Sequence, residues 1–583
     1  MSKRFIHILL LSVGVFLSTW VTAAVKTYDL NIDEQIVNVT GKPLKRLTVN
    51  GKFVAPLLEF EEGDEAVIRV HNHLKNQDTS LHWHGLILPG IMDGVPGLNQ
   101  FNGIAPHQTY EYKFKVVQNG TYWYHSHSKG QEQDGLYGPL VIYPKGKVPL
   151  ANYEKTDRDY VVLLSDFHDS TSSQIMSNLK KEADYYQNER ETVFDVLKQA
   201  KRDGVKATWK DRSMWNQMRM LKTDMSDVTG YTYLMNGRTP EQNWTGMFQS
   251  GEKIRLRFIN ASAMSFFDVR IPHLKMTVVS ADGQPVKPVP VDEFRIGTAE
   301  TYDVVVEPKQ ANYQIEAESI DRSGFSIGTL HQVNTPPVKQ IEMPKSRPRA
   351  LLTMQDMGMG HAGHDMSSMD IDMSDMDMDM GNMNQDMSSH AGHDMPAMKN
   401  DVVKNTADPV YGWANASTPM GDKALQYSDL KSLTPQKDIR SAQREIEVRL
   451  GGNMERYIWT MNGQKYSDSP QPLTVKYGER VRLKFVNESM MAHPMHLHGM
   501  FMQLENGQDP SSMPNKHTLI VPPGQTVTAL LTADELGEWA IHCHLMYHMA
   551  AGMMNTLVVA HVDGGTHVIT PAQKQGVNSH ANH

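Results

Sequence analysis

Cysteine is almost absent from this chain: Cys543 is the single one in 583 residues. One cysteine allows no internal disulfide, so a disulfide framework is excluded. Excess positive charge is also missing. The formal net charge is −9, which leaves no electrostatic footprint for nucleic acid. Apart from the N-terminus there is no long apolar run. Lys3 and Arg4 precede an apolar stretch from Phe5 to about Val21, followed by small residues at Ala23 and Ala24. This reads as a cleaved export signal over residues 1–24. The run is short and no stop-transfer pattern follows, so no stable membrane span is expected after cleavage. Only Lys3-Arg4 stands there rather than two arginines, so nothing supports a twin-arginine route. A free thiol is a liability in an oxidising compartment. Ligation to a metal would explain why this one is kept.

The cysteine lies in HCHLMYHMAAGM, residues 542–553. On a β-strand, side chains alternate faces. His542 and His544 then point one way and Cys543 the other, so one strand can serve two metal sites. A thiolate with two imidazoles and a weak axial methionine is the donor set of a blue-copper centre.

Self-comparison exposes internal repeats. GDEAVIRVHN (63–72), GEKIRLRFIN (251–260) and GERVRLKFVN (478–487) share a glycine, an acidic or charged start, alternating apolar positions and a final asparagine. Each reads as a half-buried strand. Residues 107–127 align without gaps to 524–544, which places Ser126 where Cys543 stands in the later copy. The middle copy has FDVRIPHLKM (267–276) where a His-x-His pair would fall. Three related β-domains are therefore expected at 25–165, 166–345 and 405–563, built as Greek-key sandwiches or barrels. Residues about 173–222 break the β pattern and read as a helical insertion early in the second domain, with Ile175, Leu179, Tyr186, Phe194, Leu197 and Met218 spaced among charges. Residues 346–404 read as a linker, and 564–583 as a polar tail.

Apart from His71/His73 on the first repeat strand, four His-x-His pairs occur: His82/His84, His125/His127, His496/His498 and His542/His544. Both members of a pair share one face of a strand. Eight imidazoles from two homologous domains can meet in the cleft between them and match a three-copper cluster. His493, Cys543 and His548, with Met553 axial, complete a fourth site. His71 and His73 share the repeat strand of the first domain and are not expected to be ligands; His107 is expected at the surface.

With LHWHG (81–85), WYHSH (123–127), HPMHLHG (493–499) and HCHLMYHMAAGM (542–553), the chain resembles the multicopper oxidase family, and within it the bacterial copper-resistance protein A subfamily. That second likeness includes MDGVPGL (92–98), DRSMWNQMRM (211–220) and a methionine-rich segment. The resemblance implies three tandem cupredoxin-like domains and four coppers. The type 1 ion would use His493, Cys543, His548 and Met553. The type 2 ion would use His82 and His496. The type 3 pair would use His84, His125 and His544 on one ion, and His127, His498 and His542 on the other. It also implies an oxidase in which electrons enter at type 1 copper and pass through Cys543 to the cluster, where O₂ becomes water. Asp93 resembles an acid placed near the cluster in relatives, although Asp-Gly also suits a plain turn. Some relatives carry a glutamate directly after the last type 1 histidine; here that position is Met549, which leaves the proton source open. A methionine rather than leucine or phenylalanine at 553 points away from a high-potential laccase.

Residues 354–398 contain thirteen methionines, four histidines and many aspartates, lack aromatics, and repeat HAGHDM at 361–366 and 390–395. Such a composition builds no packed core and is expected to be disordered. Thioethers select Cu(I), whereas imidazole and carboxylate accept Cu(II). His361, His364, Met366, His390, His393 and Met395 are thus candidate accessory copper ligands. Met490, Met491, Met495, Met500, Met502, Met546 and Met549 flank the type 1 ligands and divide between core and a Cu(I) dock. The expected function is a periplasmic copper-resistance oxidase of Cu(I), with other exported copper-resistance proteins as candidate partners. The alternatives are a laccase-like oxidase of phenols and a copper-sequestering protein with secondary oxidase activity.

Overall fold

The computed structural model describes residues 24–186, 193–217, 226–338, 340–352, 410–411, 413, 417–453 and 455–561. The expected signal, the accessory ligands of the methionine-rich segment, Met218 and the polar tail lie outside the described residues.

The three repeat strands take one structural role. Glu65–Asn72 pairs in parallel with Val25–Asn38 and antiparallel with Thr109–Lys115. Ile254–Asn260 lies in the same way between Arg158–Phe167 and Thr301–Val306. Arg480–Asn487 lies between Arg444–Asn453 and Thr526–Thr532. The terminal asparagine explains itself. Asn72 donates to the carbonyls of Gln77 and Ile104, Asn260 to Ser265 and Ile296, and Asn487 to Met491 and Val521. In all three copies its carboxamide oxygen accepts the N–H two residues on. A buried turn otherwise leaves these backbone groups unpaired, and one amide satisfies them. In the first and third copies, the chain beyond this turn becomes a histidine-bearing strand, His82–His84 or His493–Leu497.

The first domain holds two four-stranded sheets, and the second and third each pair a six-stranded with a five-stranded sheet in the same strand order. Two expected boundaries move. Residue 165 falls inside the strand Arg158–Phe167, which is hydrogen-bonded into the second domain's six-stranded sheet as the parallel partner of its repeat strand. Residue 405 is too early for the third domain. Ala424 and Ser432 form bridges to Glu293 and Val286, and Leu425 and Leu430 sit in the second domain's core.

The helical insertion comprises Ser172–Lys181, Val193–Asp203 and Val205–Gln217. Thr171 caps the first helix through a reciprocal arrangement with Gln174. Its Ile175 and Leu179 are buried among third-domain residues including Trp459, Cys543 and Met553. The insertion also reaches the third domain through Lys180, which donates to the Tyr457 carbonyl at 2.8 Å. Phe194 and Leu197, by contrast, are exposed.

The described residues on either side of the methionine-rich segment pair with each other. Ala350–Leu351 pairs in parallel with Val410–Tyr411. Arg347 reaches Asp268, Glu293 and Glu318, so the expected linker begins with a buried ion network. Leu352 and Trp413 are buried in the same apolar cluster as Cys543.

Candidate metal centres

Strand register brings the four histidine pairs together. His82 lies opposite His125, and His496 opposite His542. Two ring stacks join the first domain to the third: His82 on His498 at 3.8 Å, and His84 on His496 at 3.7 Å. Within this assembly His125 Nε2 is 3.4 Å from His84 Nδ1 and 3.4 Å from His544 Nε2. His498 Nε2 is 3.1 Å from His542 Nε2, and both converge with His127. His82, His496 and His498 form a further convergent trio.

These rings are buried, His127 partly so. Burial first, then neighbouring imidazoles, holds His84, His125, His127, His496 and His542 well below the usual histidine range. The same causes bring His498 down to about 4, and burial chiefly brings His544 down to about 3. Nε2 of His82, His127 and His496 has no hydrogen-bond partner, although each is buried. Unpaired buried polar atoms are rare and costly. Neutral imidazoles with inward lone pairs are what a copper cluster requires, so the residues fit it.

Outer contacts fix which nitrogen faces inward. His496 Nδ1 donates to the carbonyl of His517 at 2.8 Å, and His542 Nδ1 to that of Cys543 at 3.0 Å. Asp93 combines both readings of its sequence context. It closes the short turn Gly90–Met92 and its carboxylate sits 2.8 Å from His498 Nδ1 and 3.3 Å from His82 Nδ1. Burial opposes its ionisation, but the two histidines outweigh burial and hold the carboxyl well below the usual range. Gly94 makes the approach feasible: its φ is +82° and a Cβ there would lie 1.8 Å from the Leu81 carbonyl oxygen.

On the opposite face of the same strand, Cys543 Sγ lies 3.5 Å from His493 Nδ1 and 3.8 Å from His548 Nδ1, and the two nitrogens are 3.2 Å apart. The helix Met546–Ala550 carries His548. Met553 returns to the strand, its carbonyl accepting from Cys543 N and its N–H donating to the His548 carbonyl; its side chain is fully buried. Burial pushes the Cys543 thiol up, so a bound cation is needed to hold it as thiolate. The rear nitrogens are engaged too: His493 Nε2 meets Ser489 Oγ at 2.7 Å and His548 Nε2 meets Asp227 at 2.7 Å. Trp459 stacks on His548 at 3.9 Å.

The flanking methionines are mostly core. Met490, Met491, Met495, Met500, Met502 and Met546 are buried in the apolar cluster, and Met549 packs against it partly buried. His71 and His73 contact Asp29 and Asp33 on the first sheet, and His107 is exposed.

Three residues escaped the sequence reading. Asp227 follows the helical insertion, Glu132 meets His125, and His517 packs at 4.7 Å on His84. None belongs to a His-x-His motif. The one available signal was QEQ (131–133), a charged residue between two amides soon after WYHSH. Burial, chiefly, pushes the Glu132 carboxyl well above its usual range, and the same cause lowers His517 to about 4.

Three multicopper oxidase models match the chain, over residues 31–147, 158–335 and 440–563. The chain belongs to the multicopper oxidase family and is therefore an oxidoreductase. It is 47% identical over 572 residues to Copper resistance protein A of Escherichia coli, covering 91% of this chain and 92% of that protein. It is 49% identical to a Copper resistance protein A homolog of Pseudomonas syringae pv. tomato, with the same coverage. Among solved structures, Fet3p, a multicopper oxidase that functions in iron import, matches with a TM-score of 0.61 at 20% identity, covering 92% of this chain and 90% of that one. The laccase from Botrytis aclada also gives 0.61, at 22% identity, covering 92% and 88%.

Proposed function

We propose that this oxidase confers copper resistance from the periplasm by oxidising Cu(I) to Cu(II) and reducing O₂ to water. The reaction balances as four Cu(I), one O₂ and four protons giving four Cu(II) and two waters. The names of the two bacterial relatives support the copper role, and the leader-like residues 1–24 support export. The described residues contain no helix long and apolar enough to cross a membrane.

In this reading His493, Cys543, His548 and Met553 hold type 1 copper, and His82 with His496 hold type 2. His84, His125 and His544 hold one type 3 ion; His127, His498 and His542 hold the other. Copper bound there supplies one-electron carriers, enough together for the four electrons of O₂ reduction. The chain supplies the rest. Cys543 presents sulfur to one centre, while its peptide neighbours His542 and His544 face the other, so a few covalent bonds link electron entry to the cluster. Asp93 accepts hydrogen bonds from Nδ1 of His498 through its carboxylate and from Nδ1 of His82 through its main-chain carbonyl, leaving their Nε2 atoms free for metal. Asp227 does the same for Nε2 of His548, leaving Nδ1 toward Cys543. The buried core around Trp459 and Trp539 excludes water from the link.

The observation that carries Cu(I) as reductant is the anchoring of the methionine-rich segment. Its flanks, at Leu352 and Trp413, are buried in the same cluster as Cys543 and Met553. The described residues that flank these soft donors thus share an apolar cluster with Cys543. Asp227 adds a carboxylate there with one unpartnered oxygen, which suits an incoming cation. The test is O₂ uptake by the copper-loaded protein with Cu(I) and with a phenol, for the parent and for Cys543→Ser. Cu(I) should drive uptake in the parent alone. Fast phenol turnover with negligible Cu(I) turnover would establish the laccase-like reading, and abundant bound copper with little uptake would establish sequestration.

A further inference from the structure

Asp93 stands behind one ligand of the set His127, His498 and His542. The other set, His84, His125 and His544, has a carboxylate of its own. Glu132 Oε2 lies 2.7 Å from His125 Nδ1, nearer than the Ser126 carbonyl at 3.3 Å, and its side chain is 3% exposed. Glu132 belongs to a turn held from both sides. Gln131 accepts from the hydroxyls of Thr79 and Ser126 and donates to the Asp78 carbonyl. Gln133 donates to the Asp166 carbonyl and accepts from Tyr231. Two pinned amides thus aim the carboxylate between them. Trp123 stacks on the same imidazole at 4.3 Å and 18°, which fixes the plane of the ring.

We propose that Glu132 is a positioning residue for the cluster, accepting the Nδ1 proton of His125 so that Nε2 carries the lone pair toward copper. In a neutral imidazole one nitrogen donates and the other accepts. An acceptor on Nδ1 therefore selects the metal-binding tautomer, and Nε2 faces His84 Nδ1 and His544 Nε2 at 3.4 Å each. The Ser126 hydroxyl, at the position matching Cys543, is turned into this support by its bond to Gln131. Where the third domain places a metal ligand, the first places part of the scaffold for a neighbouring one.

This inference rests on the assignment of His125 to the cluster, and the experiment separates the two. Full-length, copper-loaded parent, Glu132→Leu, Glu132→Gln and His125→Ala are compared by copper per chain under chelator competition and by the count of EPR-visible Cu(II). The type 1 colour reports that the third domain is folded. Glu132→Leu should weaken cluster copper about 10- to 100-fold and expose additional EPR-visible Cu(II), with the type 1 colour kept. Glu132→Gln retains an acceptor oxygen and should stay within about threefold of the parent. Parent-like copper in Glu132→Leu, with loss in His125→Ala, would overturn the role of Glu132 alone. A loss in Glu132→Gln equal to that in Glu132→Leu would overturn it as well, because charge rather than tautomer selection would then be at work. Full copper in His125→Ala would overturn the ligand assignment itself.

Discussion

Asp227 and His548 are 321 positions apart in the chain, and a carboxylate oxygen of one lies 2.7 Å from Nε2 of the other. Tyr457 donates to the same oxygen at 2.8 Å. The second domain, which carries no His-x-His pair, thereby reaches His548 of the third. It does so through the residue that follows its helical insertion. This gives the middle copy a function although its own metal positions are blank.

Removing that carboxylate should impair electron entry more than metal binding. Asp227→Ala leaves His548 Nε2–H without its charged acceptor, an interaction worth about 1.5–3 kcal/mol. We expect kcat/KM for Cu(I) to fall at least about tenfold, with copper content and type 1 colour retained. Steady-state O₂ uptake against Cu(I) concentration measures it, and an unchanged kcat/KM would contradict the role.

Gly94 should tolerate no side chain. In Gly94→Ala the Cβ would meet the Leu81 carbonyl oxygen, and a positive φ adds about 1–2 kcal/mol of strain. The Asp93 turn must shift away from His82 and His498. Metal analysis should show fewer cluster coppers per chain with type 1 colour preserved. A fully loaded cluster would contradict the account of Asp93.

The motifs made the convergence of these histidines legible because alternation on a strand is a local property. The four His-x-His pairs, HCH among them, specify faces before any packing is known. The repeat strands were legible for the same reason, and their final asparagine proved to be a turn-satisfying amide in all three copies. Asp227, Glu132 and His517 were not legible. Their partners lie in other elements, and nothing in the local pattern of a lone acid or histidine indicates which surface will be packed against it. The boundary at 165 failed on similar grounds, since Arg158–Phe167 pairs with a strand almost a hundred residues later. The segment 417–433 read as part of the third domain, yet its Leu425 and Leu430 belong to the second domain's core.

Acid should unfold the copper-free protein through its buried imidazoles. Free histidine titrates near 6.5, whereas His498 is held at about 4 and His544 at about 3. Between those values the unfolded chain binds protons that the folded chain refuses. The stability from these groups is therefore complete above pH 6.5 and is lost as pH falls toward the folded values. These shifts correspond to about 3 kcal/mol for His498 and about 5 kcal/mol for His544. Denaturant unfolding of copper-free protein at pH 7 and pH 5 should show a marked loss at pH 5. Equal stability at both would contradict the burial of these rings.

Deleting residues 354–398 should leave the fold and the type 1 colour intact, because the anchoring residues Arg347, Leu352 and Trp413 remain. A tethered set of donors raises local Cu(I) concentration, so its loss should raise KM for Cu(I) by about tenfold while kcat at saturation changes little. Copper bound beyond the four centres should disappear. An unchanged KM would contradict delivery by this segment.

The most direct test is the ratio of Cu(I) oxidised to O₂ consumed by the copper-loaded protein, with peroxide measured in the same samples. The account predicts about four Cu(I) per O₂ and no accumulating peroxide. About two Cu(I) per O₂ with peroxide released would contradict it, because the buried histidine cluster would then not be completing the reduction of O₂ to water.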